Sequence, residues 1–68
     1  MTDKEIEATL TARGVTVARW EVEFRIGNRR LETDEVMAML PGATEDEVAA
    51  YAESKAKALR QQLYNQRG

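Results

Sequence analysis

A chain of 68 residues, 43% of them hydrophobic, makes one small domain (1–68) with no room for a separate catalytic module. It holds no cysteine and no histidine, which excludes disulfide staples, thiolate metal sites and the commonest general base. The net charge of −2 hides blocks of opposite sign. Residues 13–30 carry five arginines against Glu21 and Glu23, residues 31–53 carry seven acids and no base, and residues 54–68 carry four bases against none. Such blocks suggest complementary surfaces, within the chain or between copies.

A core of this size supplies only ~3–5 kcal/mol unaided, so a second copy is an expected source of help. No apolar run approaches the ~18–20 residues of a membrane span. The start, MTDKEIE, is too acidic for a signal peptide, and a cytoplasmic protein is expected.

In chain order, Thr2 and Glu5 form a capping box and open a helix over about 3–13. Ile6 and Leu10 supply its apolar face, and Gly14 is placed to close it in the left-handed conformation. Residues 15–26 support two readings. Trp20, Val22, Phe24 and Ile26 alternate with Glu21, Glu23 and Arg25, the period of a half-buried strand. Gly27-Asn28 would then be a hairpin turn setting Phe24 opposite Leu31. In the competing reading a helix over about 17–26 puts Val22 and Ile26 on one face and Glu21 four residues before Arg25. Further on, Thr33, Asp34 and Glu35 suit a helix start for a short helix near 34–40, which Pro41-Gly42 ends. Thr44 and Glu47 form a second capping box. They open a long helix near 45–64 with the stripe Val48, Ala52, Ala56, Leu59 and Leu63, and 65–68 are expected to fray.

The spacing Ile6, Leu10, Gly14, Val15, Val17, Ala18-Arg19, Val22 and Phe24-Arg25 resembles a helix-turn-helix. It looks like the C-terminal promoter-reading domain of the enhancer-dependent alternative sigma factors, over residues 3–25. The resemblance implies that a second helix starting near Ala18 enters the major groove, with Arg19 as a groove or phosphate contact. Arginine at the start of such a helix can pair bidentately with guanine, and Arg13, Arg19, Arg25, Arg29 and Arg30 would neutralise phosphates from one region. Trp20 is expected in the core. Glu21 and Glu23 oppose this reading, since carboxylates are repelled by phosphate.

Catalysis has little to draw on. Ser54 is the only serine and has no histidine to activate it, and the paired acids Asp34/Glu35 and Glu45/Asp46 suit helix starts. No Gly-rich phosphate loop, zinc spacing or calcium loop occurs, so no enzyme, cofactor or metal is expected. The expected fold is all-α, a helix-turn-helix at 3–26 followed by the long helix 45–64. Its alternative is α+β, a helix, a β-hairpin and helices. The expected function is a small DNA-binding transcription regulator of the kind found in phages and mobile elements, dimeric through 45–64. The alternative is a non-enzymatic interaction module or inhibitor, acidic through residues 32–53, that docks on a basic protein, with Glu45, Asp46, Glu47, Ala49 and Ala50 as part of an acidic face.

Overall fold

The computed structural model describes residues 1–67. The elements run α1 (Asp3–Ala12), β1 (Val15–Ala18), β2 (Glu23–Ile26), β3 (Arg29–Arg30), α2 (Thr33–Met39) and α3 (Glu45–Arg67). The three strands form one antiparallel sheet in the order β1-β2-β3. The fold is therefore α+β, which corrects the all-α expectation. The helix-turn-helix at 3–26 keeps only its first helix, because the segment that was to be the reading helix is extended. Val15, Thr16 and Val17 are β-branched and lose side-chain freedom in a helix. In the sheet they pack against partners across the strands.

The sheet register sorts the side chains. Val15 lies opposite Ile26 and Val17 opposite Phe24, and the Leu31 amide donates to the Phe24 carbonyl at 2.8 Å. These residues face the helices, while Thr16, Glu23, Arg25 and Arg30 alternate onto the other face. Gly27, with φ +58°, takes the first position of the two-residue turn into β3, where a primed hairpin turn wants glycine. The four-residue turn between β1 and β2 is different. It closes with the Val22 amide donating to the Ala18 carbonyl at 2.9 Å, and Val22 takes φ +53°, a conformation that β-branched residues avoid.

Three helix starts are built alike. Glu5 and Thr2 exchange side-chain-to-amide bonds at 2.9 and 3.2 Å, and Glu47 and Thr44 do so at 2.8 and 3.2 Å. At α2 the cap falls on Glu32, one residue before the expected Thr33, and its amide donates to Glu35 Oε1. The core gathers Ile6, Leu10, Val15, Leu31, Val36, Leu40, Val48 and Tyr51, with Phe24 stacked on Tyr51 at 6.5 Å. Ala52 and Ala56 are buried as well, so the small-residue stripe of α3 is occupied by its own chain. Among the residues whose burial is described, the last buried one is Ala56. The helix continues to Arg67, past the expected end near 64, so its last turns overhang the core. Of the end that was expected to fray, Gly68 lies outside the described residues.

Candidate functional site

A groove of about 350 Å³ opens between the β2–β3 hairpin, α2 and the first half of α3. Buried Leu31, Val36, Val48 and Ala52 supply its floor, while Val22, Phe24, Met37 and Ala49 supply more open walls. The fold makes it by geometry. The sheet is only three strands wide, β3 is two residues long, and α2 has seven residues, so neither element is long enough to close over α3.

The charges on the rim are unequal. Glu23 and Arg30 pair at 2.9 Å, and Glu23 also accepts from Arg25. Glu45 and Glu53 have no ion-pair partner among the described residues, so the groove is net acidic. The positive end of α3 offsets part of the charge on Glu45, whereas Glu53 lies two turns further along. Of the expected acidic face, Glu45 and Ala49 line the groove, and Asp46 and Ala50 are exposed. Glu47 is turned to its cap partner Thr44 and to the Met1 amino group at 3.2 Å.

The five arginines expected to meet phosphate are not assembled into one free patch. Arg25 and Arg30 face each other across β2 and β3, but both are drawn to Glu23, which is only 18% exposed between them. Arg29 pairs with Glu35 at 3.1 Å. Arg13, exposed at the end of α1, and Arg19, in the β1–β2 turn, flank opposite ends of β1. Three of the five are thus already matched to carboxylates.

Trp20 corrects a second expectation. It is 60% exposed at the tip of the β1–β2 turn rather than in the core. The Arg60 guanidinium lies 5.9 Å from its ring centroid and donates to the Arg19 carbonyl at 3.0 Å. This cation–π contact ties the overhanging part of α3 to the turn. One helical turn beyond Arg60, Tyr64 is 65% exposed. The sequence offered Trp20 as a large apolar residue, and nothing local marks position 60 as its partner.

Backbone and side-chain bonds from Thr2 hold the Glu5 carboxyl below its ordinary value, and amide bonds from Glu32 and Thr44 do the same for Glu35 and Glu47. Burial pushes the Tyr51 phenol up. Donating to Glu23 raises Arg25, and donating to Glu7 raises Lys55. None of these groups lines the groove, and Arg25 reaches its rim only by pairing with Glu23.

Compared with protein-family models, with curated proteins and with solved structures, the chain matches none. Nothing in those comparisons bears on the sigma-factor resemblance, whose second helix is absent from the fold. Among the described residues, no helix is long and apolar enough to cross a membrane.

Proposed function

We propose that the protein is a non-enzymatic interaction module whose groove receives an apolar segment flanked by basic residues on a partner protein. The carrying observation is the pairing of an apolar groove of about 350 Å³ with a rim whose unmatched charges, Glu45 and Glu53, are both negative. Pockets of ~300–1,000 Å³ with apolar linings and few polar groups are the usual shape of a binding site. A rim of one sign steers a partner of the other and rejects like charge. The buried side chains among the described residues are aliphatic apart from Tyr51, and Tyr51 does not line the groove.

The test uses two amphipathic peptides of one pattern, leucine and tryptophan spaced by lysine in the first and by glutamate in the second. Calorimetry is expected to detect the cationic peptide alone, with affinity falling in the double variant E45K/E53K. Equal binding of both peptides, or of neither, overturns the reading.

DNA binding keeps the electrostatics of Arg13 and Arg19 but loses the helix starting near Ala18 that was to enter the major groove. A salt titration against random duplex separates the two readings. Few free arginines give a shallow log–log slope, whereas a slope steeper than about −3 would mean that several phosphates are neutralised.

A further inference from the structure

We infer that the groove's partner is a second copy of this chain, which inserts Trp20, with Arg60 beside it, into the acidic groove while receiving the same contact in return. The inference rests on the groove reading above and names its occupant.

Knob and groove belong to neighbouring parts of the molecule. Trp20 tops the turn between β1 and β2, and Val22, two residues along that turn, is part of the groove's wall. A surface that carries a projecting apolar group beside a recess of the same character is self-complementary under a two-fold axis, since each copy then gives what the other takes. Charge agrees with shape. Arg60 lies over the Trp20 ring, and Glu53 and Glu45 stand unmatched on the rim that would receive them. Lys57 is exposed one turn before Arg60 on the same helix and adds to the basic side. Glu21, exposed beside Trp20, opposes the attraction, and the two nearby bases outweigh it.

Area favours the reciprocal arrangement over a chain of copies joined head to tail. A large aromatic buries ~150–250 Å², while stable interfaces bury roughly 1,200–2,000 Å² in total. One knob and one groove fall well short of that range. The reciprocal arrangement doubles the area that a single contact buries, and the exposed walls between the two contacts add to it. The Ala52/Ala56 stripe, which the sequence offered as a dimer seam, faces the core. A dimer contact through α3 has only the other side of the helix to use, where Ala49 and Glu53 are exposed.

Sedimentation velocity of the full chain tests this at increasing concentration. The wild type is expected to dimerise, with W20A weakening the dimer ~30-fold or more, as truncation of a central aromatic anchor does. R60E and E53K alone are each expected to weaken it, because each sets like charges together in both halves of the interface. Mixed in equal amounts, the two variants are expected to form the heterodimer, whose two halves are again complementary. Because Trp20 is mostly exposed, W20A is expected to keep the wild-type circular dichroism, so loss of the dimer is not loss of the fold.

A folded monomer at every concentration overturns the inference, and so does a dimer indifferent to W20A and E53K. The groove reading is judged separately by giving monomeric W20A the cationic peptide. If the peptide binds and the wild type never dimerises, the groove stands and the second copy falls. If neither occurs, both fall.

Discussion

Val22 holds a left-handed conformation, φ +53°, which costs a non-glycine residue about 1–3 kcal/mol. Glycine or asparagine would be easier there, and the valine side chain instead forms part of the groove wall. The strain and the wall are two sides of one choice. V22G is expected to raise the urea midpoint, the equivalent of about 1 kcal/mol after glycine's own entropy is set against the relief. The same variant is expected to weaken binding of the cationic peptide. A lower midpoint would mean that the side chain's packing outweighs the strain. In the core the sign is plain. Ile6 and Leu40 are fully buried, and I6A or L40A is expected to cost about 2–5 kcal/mol, which in a domain this small leaves most of the chain unfolded in a thermal or urea melt.

At the scale of elements, helix starts were legible because a capping box is a four-residue device. Thr2 with Glu5 and Thr44 with Glu47 form the bonds that their spacing implied. The β1–β2 turn was not legible for a related reason. Arg19 to Val22 contain no glycine, asparagine or aspartate, the residues that ordinarily announce a turn. The alternation of Trp20, Val22, Phe24 and Ile26 ran across the turn and disguised it as one strand or one helix. Where a glycine does mark the turn, at Gly27, the alternative reading placed Phe24 opposite Leu31, as found.

The caps also make a pH prediction. Glu5, Glu35 and Glu47 each titrate below the ordinary 4.5 in the folded chain. Their contribution is complete above 4.5 and is lost as pH falls through the lower folded values. Urea midpoints are expected to drop in that acid window. The triple variant E5Q/E35Q/E47Q keeps the capping geometry without the titration and should show a flatter profile there. An equal drop in the triple variant would place the acid sensitivity elsewhere.

For the whole molecule, the blocks of charge were legible, and the way they are used was not. Arg25 and Arg30 looked available for phosphate until the register brought both to Glu23. Glu45 and Glu53 looked like an undivided acidic face until the packing of α2 and the hairpin opened an apolar recess between them. Such long-range placements follow from the sheet order, and one misread turn conceals them all. Nuclear magnetic resonance of the labelled W20A chain, titrated with the cationic peptide, tests the central claim most directly. The groove reading predicts that the amides of Met37, Ala49 and Glu53 shift together while those of Lys4 and Thr9 stay in place. Shifts confined to Thr16 and Arg25 on the far face of the sheet, or no shifts at all, would contradict it.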